Sequence, residues 1–439
     1  MGVIRISATG DSFMTRRLPV PTTYPDYPEI QALLNSCDFR FNNLEFTVHD
    51  SESAPSAQSG GTWAMSEPAI LDDLASFGFN IFSTANNHSL DYGEGGVLAT
   101  IRHLKERSLC FCGTGEDLSA ASAPAYISAN GATVAFIALS GSYKPFHPAG
   151  IATKDLPSRP GLNPLGHKTV YHVKPAHFTA LQEIAQGTAI NAQKDYSRSN
   201  GYLSPSPAGT FAFGDLLFQE DTAEFTDTTP SEKDVERTLV SIQEAKRQTD
   251  LVFISLHDHS FDGFNSEMPS HYFEAFAHRM IDGGADGIIG HGPHQLRGIE
   301  IYKGKPIFYS LGNFVFQTET VRVQPAEAFI NKGLDPEAGV RALMMKRSNN
   351  NTTGYGVIEN MWRSVITNME WEEGILKSIS LYPIHLGMKQ PWEDRGWPHL
   401  SGDEATLKHL SDLSRPYGTS IEIKNGVGII INSDHLIRG

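Results

Sequence analysis

Short apolar runs that each end in a polar cluster recur along the chain. Four of them have the β-branched and aromatic composition of buried strands: residues 3–9, 39–44, 79–85 and 250–256. The polar residues that follow these runs are Asp11, Glu45, Asn87 with His88, and His257. Ligand crevices in open α/β sheets lie at the carboxyl ends of the strands, so we expect these side chains to lie close together.

Amphipathic helical patterns alternate with the strand-like runs. Residues 231–245 begin with the capping sequence Ser-Glu-Lys-Asp and carry apolar side chains on one stripe. Further helices are predicted at residues 28–35, 68–77, 97–104, 270–281 and 405–413. Further strands are predicted at residues 133–139, 285–289, 298–302, 305–314, 421–423 and 428–431, with a hairpin about residues 372–374. This alternation predicts a chain of the α/β (α+β) class.

The middle of the chain interrupts the alternation. Residues 140–230 have little periodicity and many Pro, Gly, Ser and Asn residues. A structureless loop of that length is rare in a compact domain, so we predict a structured insertion with a short helix at residues 175–186. We therefore predict a core of residues 1–320 that contains this insertion. Residues 321–439 are predicted to form a C-terminal extension that packs on the same core.

Charge and composition narrow the range of partners. The 439 residues include 35 Lys+Arg and 50 Asp+Glu, and the net charge of -15 disfavours nucleic acids and anionic membranes. An odd number of cysteines, two of them at Cys110 and Cys112, favours reduced thiols. No signal-peptide pattern precedes the first run, and no apolar stretch approaches the ~20 residues that span a bilayer. We expect a cytoplasmic protein without a membrane segment.

A histidine pair gives the first indication of chemistry. The sequence Gly-His-Gly-Pro-His at residues 290–294 places His291 and His294 three positions apart on a tight loop after a predicted strand. Two imidazoles held in this way suit metal binding better than core filling. Together with the acidic and amide side chains at the other strand ends, they predict a site for two divalent ions such as Mn, Fe or Zn. An unligated histidine nearby can protonate a leaving group.

Each candidate ligand also has a simpler explanation. Asp11 follows a glycine and could form a turn, Glu45 could be a solvated strand end, and Asn87 could form an Asx turn. His257 could hydrogen-bond a main-chain carbonyl, and His259 lies in a segment that could already have turned away from the strand. The recurrence of such residues at successive strand ends favours a shared site, and it leaves the role of His259 open.

Six motifs occur in the order found in one known family. They are Gly10-Asp11 with Arg16, Asn43-Leu-Glu45, Ala85-Asn-Asn-His-Ser-Leu-Asp-Tyr-Gly93, Ser255-Leu-His257, Gly290-His-Gly-Pro-His294 and Tyr309-Ser-Leu-Gly-Asn-Phe314. From residue 3 to about residue 317, the chain resembles the CapA family of poly-γ-glutamate capsule biosynthesis proteins, which is similar to the calcineurin-like metallophosphoesterases. The resemblance implies a four-layer α/β/β/α sandwich of two mixed sheets, with the site at one edge.

The resemblance also implies a role for each matching residue. The implied metal ligands are Asp11, the bridging carboxylate Glu45, the amide of Asn87, His257, His291 and His294. His88 takes the position of the proton donor, and Arg16 that of an arginine that could bind a substrate anion. The family commonly has a second histidine where Gly292 stands, which leaves open which of His291 and His294 serves which metal. It often has an aromatic residue and a glycine where this chain has Asp258-His259.

The implied function is that of a metal-dependent hydrolase. Water activated by two divalent ions would attack a phosphoester or a γ-glutamyl-type amide in a small or oligomeric anionic substrate. The candidate substrate-binding residues are Arg16 and, in the insertion, Arg159, Asn163 and Lys168. For the charged residues of the insertion, a solvated surface position is the alternative. The alternative function is a non-catalytic component of poly-γ-glutamate capsule synthesis or export. A binding protein that has kept the fold without activity is a third possibility.

Overall fold

The computed structural model describes residues 2–20 and 23–431 of the chain. Its first strands are β1 (Ile4–Phe13), β2 (Phe39–Leu44), β3 (Thr47–Val48), β4 (Met65–Ser66), β5 (Ile81–Ser83), β6 (Cys110–Cys112), β7 (Thr114–Gly115), β8 (Ala125–Ala129), β9 (Ala132–Ser140), β10 (Gly161–Leu162), β11 (His167–Val173), β12 (Phe211–Phe213) and β13 (Leu216–Glu220). The later strands are β14 (Phe225–Pro230), β15 (Leu251–His257), β16 (Phe261–Asp262), β17 (Asn265–Pro269), β18 (Gly287–His291), β19 (Leu296–Tyr302), β20 (Lys305–Leu311), β21 (Asn313–Phe316), β22 (Arg363–Glu372), β23 (Ile375–His385), β24 (His399–Leu400), β25 (Glu422–Lys424) and β26 (Val427–Ile431).

Helices separate many of these strands. They are α1 (Tyr27–Asn35), α2 (Ile70–Phe77), α3 (Gly93–Glu106), α4 (Leu118–Ser122), α5 (Pro175–Thr188), α6 (Ala192–Ser199), α7 (Glu232–Ala245), α8 (His271–Asp282), α9 (Ala326–Ile330), α10 (Val340–Arg347) and α11 (Glu404–Ser414). Short 3₁₀ helices occur at Thr318–Thr320, Pro336–Ala338, Tyr355–Val357, Glu359–Trp362 and Arg415–Tyr417. None of the helices in the described part of the chain has the length and hydropathy of a membrane span.

Two large mixed sheets position the polar strand ends. In the first sheet the order is β25-β26-β23-β22-β1-β2-β5-β6, with β21 beside β1 and β24 beside β23. In the second sheet the order is β19-β20-β18-β15-β9-β8. Strand β1 runs parallel to β2 and β21 but antiparallel to β22, while β15 runs parallel to both β9 and β18. The predicted class of mixed sheets with helices is therefore confirmed.

Aromatic side chains of the two sheets pack against each other. Phe41 of the first sheet stacks on Phe136 of the second with ring centroids 5.6 Å apart, and Phe136 stacks on Phe253 at the same distance of 5.6 Å. All three rings are fully buried, and the surrounding apolar cluster contains residues of both sheets. Burying one phenylalanine side chain contributes roughly 1.5–3 kcal/mol, so this shared cluster stabilises the packing of one sheet on the other.

Helices pack on the sheets in two further clusters. Leu34 of α1 and Leu74 of α2 share one cluster with Phe82 of the first sheet. Ile242 of α7 and Phe276 of α8 share the other with strands of the second sheet. The apolar stripes that predicted these helices are thus the faces that the helices bury.

Two regions contain more regular structure than their sequence pattern predicts. Within residues 140–230 the predicted helix is α5, and it is accompanied by α6 and by a four-stranded sheet of order β12-β13-β11-β14. Residues 317–351, whose pattern predicts nothing regular, contain α9 and α10. Many side chains of the small sheet are half-buried, so its strands lack the alternation by which strands are recognised. Helix α9 has five residues, too few for a helical period to be visible.

The predicted capping box of α7 is absent. Ser231 is the N-cap residue in an extended conformation, but its side chain makes no capping hydrogen bond. The carboxylate of Asp234 instead accepts from the Gly166 N–H at 2.9 Å and pairs with Arg237 at 2.6 Å. The start of this helix is therefore held by the insertion, through Gly166, and by its own Arg237.

The C-terminal strands complete the first sheet. Strands β22 and β23 form the predicted hairpin, β22 pairs antiparallel with β1, and β26 lies beside β23. The chain after residue 362 therefore contacts the strand that begins the protein. The division into a core of residues 1–320 and an extension of residues 321–439 remains a prediction.

Strand β1 changes partners at Gly10. Its first half, residues 4–8, pairs with β22, whereas residues 11–13 pair with β21. At the changeover the Asp11 N–H donates to the carbonyl of Gly312 at 2.9 Å. A Cβ on Gly10 would overlap the carbonyl of Gly312, so only glycine allows these two segments of the chain to approach so closely.

We expect Gly10→Ala to lower the free energy of unfolding by about 1–3 kcal/mol, because the added methyl group forces β1 and β21 apart. Gly187→Ala is the matched control, since a Cβ at this position in α5 meets nothing within 4 Å. Alanine there should leave stability unchanged or raise it by at most ~1 kcal/mol. Urea unfolding followed by circular dichroism measures both, and equal stabilities of the two variants would contradict the expectation.

Candidate metal centre

The ends of four strands and one loop bring polar side chains to one place. Asp11 lies in β1 opposite Asn43 of β2, and His257 at the end of β15 lies opposite His291 at the end of β18. Glu45 directly follows β2, and His294 lies in the loop before β19. The side chains that carry the predicted ligand chemistry are buried, with exposures of 0% for Asp11, Glu45, His257 and His291 and 4% for His294.

On one side, the carboxylate of Asp11 faces two imidazoles. Asp11 Oδ1 lies 3.6 Å from His257 Nδ1 and 3.4 Å from His291 Nδ1, and the two Nδ1 atoms are 3.0 Å apart. Ser255 Oγ lies 2.7 Å from His291 Nε2, so the second nitrogen of that ring is engaged away from Asp11. Three atoms of the kind that ligate metals therefore converge on one position.

On the other side, the carboxylate of Glu45 faces two different ring nitrogens. Glu45 Oε1 lies 3.7 Å from His257 Nε2 and 3.7 Å from His294 Nε2. His259 Nε2 lies 3.1 Å from His257 Nε2, so the structure brings His259 into the same group. Asn313 Oδ1, 2.9 Å from His294 Nδ1, orients the ring of His294. We refer to the following residues as the histidine–carboxylate cluster: Asp11, Glu45, His257, His259, His291 and His294.

Two side chains at the cluster have oxygen atoms without a partner. Both carboxylate oxygens of Glu45 are buried and accept no hydrogen bond from the described residues. Asn87 Oδ1 is likewise buried and unpaired, while its Nδ2 donates to the Gly60 carbonyl at 3.0 Å. Burying an unpaired carboxylate costs several kcal/mol or forces its protonation. A mixed set of carboxylate, amide and imidazole atoms with unsatisfied oxygens fits a divalent cation.

The two carboxylates differ in their protonation. Burial alone would raise the pKa of Asp11, but the hydrogen bonds and charges of His257 and His291 outweigh burial and hold that pKa well below its usual range. Burial raises the pKa of Glu45 well above its usual range, and the charges of Asp11 and Asp91 raise it further. Without a cation the cluster therefore favours an ionised Asp11 and a protonated Glu45.

Burial keeps three of the imidazoles neutral. It lowers the pKa of His257 to about 4, and it lowers the pKa values of His259 and His294 from the usual range. At neutral pH each of these rings therefore keeps one unprotonated nitrogen. Neutral imidazole is the form that binds metals, so the protonation states also fit a metal centre.

A tight turn separates the two histidines of residues 290–294. Gly292 has a φ of 119°, its N–H donates to Asp11 Oδ2 at 2.9 Å, and a Cβ there would contact the main chain of Asp258. A larger residue would therefore disturb the turn. His291 faces Asp11 Oδ1 at 3.4 Å, whereas His294 faces Asp11 Oδ2 at 3.7 Å. The two histidines thus approach the same carboxylate from different sides.

His88 lies beside the cluster with its ring held by Asp91. His88 Nδ1 is 2.6 Å from Asp91 Oδ2, and the carboxylate of Asp91 also accepts from the N–H groups of Gly60 and Ala64 at 2.8 Å each. The ring borders a cavity of about 130 Å³ together with residues of the cluster. Because Nδ1 is occupied, Nε2 is the atom left for proton transfer in that cavity.

Arg16 does not join the cluster. Its guanidinium donates to the main-chain carbonyls of Glu393 and Arg395 and lies over the ring of Trp397, 5.5 Å from its centroid. These partners belong to a C-terminal segment, and the sequence pattern did not predict that this segment contacts Arg16. The anion-binding role predicted for Arg16 has no support in this geometry.

The candidates of the insertion also lie apart from the cluster. Asn163 is fully buried, and its amide is occupied because it donates to the Ala138 carbonyl at 2.9 Å and accepts from Arg237 at 3.1 Å. Arg159 donates to the carbonyl of Pro148 and borders a different cavity, of about 740 Å³. Asn163 therefore supports the insertion, and Arg159 lies at its surface as the alternative interpretation had it.

The structure brings residues to the site that no sequence motif marked. Arg347, at the end of α10, and Tyr355 border the same cavity as His88 and His294. Lys144 borders a second cavity that also contains His259 in its wall. Arg347 and Tyr355 come from a stretch without visible periodicity, so composition and spacing contained no signal for these two residues.

Comparison with known proteins agrees with the motifs. Residues 5–318 match the family model described as "Bacterial capsule synthesis protein PGA_cap". The chain belongs to this family. The CapA resemblance inferred from the sequence is thereby confirmed.

Relatives of the chain differ in how far they match. "Uncharacterized protein y4sH" of Sinorhizobium fredii is 33% identical over 438 residues, which covers 96% of this chain and 92% of that protein. "Capsule biosynthesis protein CapA" of Bacillus anthracis is 26% identical over 301 residues, 68% of this chain and 55% of that protein. "PGA biosynthesis protein CapA" of Bacillus subtilis is 27% identical over 257 residues, 58% of this chain and 46% of that protein.

We expect Glu45→Gln to raise the stability of the metal-stripped protein and to lower its stabilisation by Mn²⁺. At pH 7–8 the wild type buries an ionisable group without a partner, so the substitution should add on the order of 1–3 kcal/mol. Because the folded-state pKa of Glu45 is raised, this cost is absent below the unfolded-state value of about 4.3 and grows as the pH rises above it. Urea unfolding after chelator treatment, repeated between pH 4 and pH 8, measures the difference.

The control for this experiment is Glu29→Gln, which removes the same charge from an exposed position on α1. It should change neither the pH dependence nor the response to Mn²⁺. A Glu45→Gln variant that is less stable than wild type at pH 8 without metal would show that Glu45 has a partner within the chain.

Proposed function

We propose that this member of the capsule synthesis family is a metal-dependent hydrolase that holds two divalent ions in the histidine–carboxylate cluster. The observation that carries the proposal is the carboxylate of Glu45. It is fully buried, has no hydrogen-bond partner among the described residues, and lies 3.7 Å from imidazole nitrogens of both His257 and His294. A carboxylate between two sets of ligand atoms suits a position that bridges two ions.

The proposed ligands come from both large sheets. They are Asp11, Glu45, Asn87, His257, His291 and His294, with His259 as an additional imidazole. Three groups of converging ligand atoms support this assignment: Asp11 with His257 and His291, Glu45 with His257 and His259, and Asp11 with Glu45 and His294. Mixed oxygen and nitrogen ligands suit Mn, Fe or Zn. Ions bound here would supply activation of a water molecule and stabilisation of the negative charge that develops during its attack.

Residues of the chain itself would handle the proton. His88 has its Nδ1 atom held by Asp91 at 2.6 Å and borders the cavity at the cluster. Phe13 packs edge-on against this ring with centroids 5.2 Å apart, which restricts its rotation. We therefore assign His88 as the group that gives a proton to the leaving group through Nε2, with Asp91 as its positioning residue.

We also propose that the fold is the four-layer α/β/β/α sandwich of the calcineurin-like metallophosphoesterases. Its support is the apolar cluster shared by the two sheets and the separate clusters that helices form with each sheet. In this interpretation residues 1–320 form the catalytic core, with residues 140–230 inserted. The described part of residues 321–439 extends the first sheet and borders the cavity.

The proposed substrate is an anionic molecule with a phosphoester or a γ-glutamyl-type amide bond. The printed names of the Bacillus relatives refer to capsule biosynthesis and to PGA biosynthesis. They support the amide, whereas the metallophosphoesterase-like ligand set supports the phosphoester. A second candidate function is a non-catalytic component of capsule polymer synthesis or export, which the family description favours.

Metal analysis and activity together test the proposal. We expect close to two Mn, Fe or Zn ions per chain, and hydrolysis in at least one of two panels, phosphate esters or γ-glutamyl amides, assayed with Mn²⁺ and with Fe²⁺. Chelator treatment should abolish hydrolysis, and added metal should restore it. Bound metal without hydrolysis in either panel would favour the non-catalytic candidate, and absence of bound metal would exclude the metal centre.

Two neighbouring substitutions separate ligand from proton donor. We expect Asn87→Ala to lose part of the bound metal, because it removes an oxygen that has no other partner. We expect His88→Asn to retain the metal while kcat falls by roughly 10²- to 10⁴-fold, the usual contribution of a general acid. Metal analysis and steady-state kinetics on the same preparations measure both, and equal metal loss in the two variants would show that His88 is a ligand.

A further inference from the structure

Two cavities meet at the histidine–carboxylate cluster. The smaller has a volume of about 130 Å³ and the larger about 370 Å³. Gly60, Asn87 and His259 line both of them, so the cavities adjoin at these residues. Arg347 borders the smaller cavity and Lys144 the larger. A ligand whose reacting group lies at the cluster can therefore extend in two directions, each with one cation.

Arg347 is held in place without neutralisation of its charge. Its guanidinium donates to Thr62 Oγ1 and lies over the ring of Tyr355, 5.9 Å from the centroid. Tyr355 in turn packs edge-on against His294 with centroids 5.7 Å apart. Within residues 2–20 and 23–431, no carboxylate forms an ion pair with this arginine. Its remaining N–H groups are therefore available to an anion from outside the chain.

Lys144 has similar properties in the larger cavity. Its ammonium forms no hydrogen bond or ion pair with any residue that the structure describes. Beside it, His147 is fully buried, and neither of its ring nitrogens has a hydrogen-bond partner. Buried polar atoms in native proteins almost always have partners, so an unpaired imidazole on a cavity wall indicates a place where a ligand supplies one.

The protonation of His147 fits a neutral contact beside the cation. Burial, with smaller effects from the charges of Lys144 and His88, lowers the pKa of His147 to about 4. Near neutral pH this ring offers one donor and one acceptor. The larger cavity therefore combines a positive charge with a neutral hydrogen-bonding group.

We propose that Lys144 and Arg347 are specificity-determining residues that bind two separate anionic groups of one ligand, one on each side of the group at the cluster. This inference rests on the proposed function, because that function places the reacting bond at the cluster. The ligand class is a molecule with a carboxylate or phosphate on both sides of the bond. A neutral or singly charged ester or amide would use one cation at most.

Because the whole chain is negatively charged, binding of an anionic ligand depends on local cations such as Lys144 and Arg347. A net charge of -15 repels an anionic ligand on average, and the cluster adds two buried carboxylates. Elsewhere basic side chains near carboxylates form pairs, as Arg17 does with Asp73. Arg347 and Lys144 come from regions far apart in sequence. Both border cavities that adjoin the cluster, and neither forms an ion pair with a carboxylate of the described residues.

Binding to metal-loaded protein that carries His88→Asn tests the proposal while the scissile bond stays intact. Two pairs of probes separate the possible bond types: γ-glutamyl-glutamate against γ-glutamyl-ethylamide, and bis(4-carboxyphenyl) phosphate against diphenyl phosphate. In at least one pair we expect calorimetry to give tighter binding of the first probe, which has a carboxylate on both sides of the bond. Lys144→Gln and Arg347→Gln should each weaken that binding about tenfold or more, as loss of a charge-assisted contact does.

Matched controls remove the same charge nearby. The first control is Lys346→Gln, because Lys346 lies next to Arg347 on α10. The second is Lys154→Gln, because Lys154 is exposed and belongs to the same insertion as Lys144. Both controls should bind the probes as the parent protein does. Metal content and melting temperature of all four variants verify that the cluster and the fold are intact, and Arg347→Lys should recover part of the affinity.

Three results would overturn the inference: equal binding of the two members of each pair, parent-like binding by either Gln variant, or no binding of either probe that has a carboxylate on both sides of the bond. The outcome is distinguishable from failure of the proposed function. Tight, cation-dependent binding without hydrolysis by the wild type would remove the hydrolase proposal and keep the two anion positions. Hydrolysis that is equally fast with substrates whose flanking groups are uncharged would keep the hydrolase proposal and remove the two anion positions.

Discussion

Two carboxylates lie buried among four imidazoles, and the arrangement of the rest of the structure depends on how that charge is balanced. Interactions with His257 and His291 stabilise the ionised form of Asp11 and keep its pKa low. Glu45 has no such partner, and burial and neighbouring negative charge raise its pKa. A fold that keeps such a group buried has to recover its cost elsewhere, and a bound cation is the source that the surrounding ligand atoms fit.

The backbone around Asp11 explains how these groups are brought so close. Strand β1 exchanges one partner strand for another at Gly10, where the main chain of Gly312 approaches too closely for any side chain. The Gly292 N–H then holds the second oxygen of Asp11 at 2.9 Å. Two separate segments therefore contact Asp11 through their main-chain atoms, Gly312 at its N–H and Gly292 at its carboxylate. Main-chain contacts are less variable than contacts between flexible side chains.

The two cations proposed to recognise the ligand lie outside the strand ends that form the cluster. Lys144 follows β9 at the start of the insertion, and Arg347 ends a helix of the C-terminal region. Both border cavities that adjoin the cluster, whereas Arg16, in the first motif, is engaged by main-chain carbonyls of the C-terminal segment. In the proposed function, metal binding therefore belongs to the ends of the strands and specificity to the segments that cover them.

The sequence by itself predicted most strands of the two large sheets, most of the helices and the cluster residues other than His259, because most of these residues lie at the ends of apolar runs whose period is local. Asp11, Glu45, His257 and His291 could be predicted for that reason, and the family resemblance added their implied roles. The tertiary structure decided that His259 joins the cluster, that Arg16 and Asn163 are occupied elsewhere, and that Lys144, His147 and Arg347 border its cavities. Those facts depend on which distant segments contact one another, and neither periodicity nor spacing along the chain contains that information.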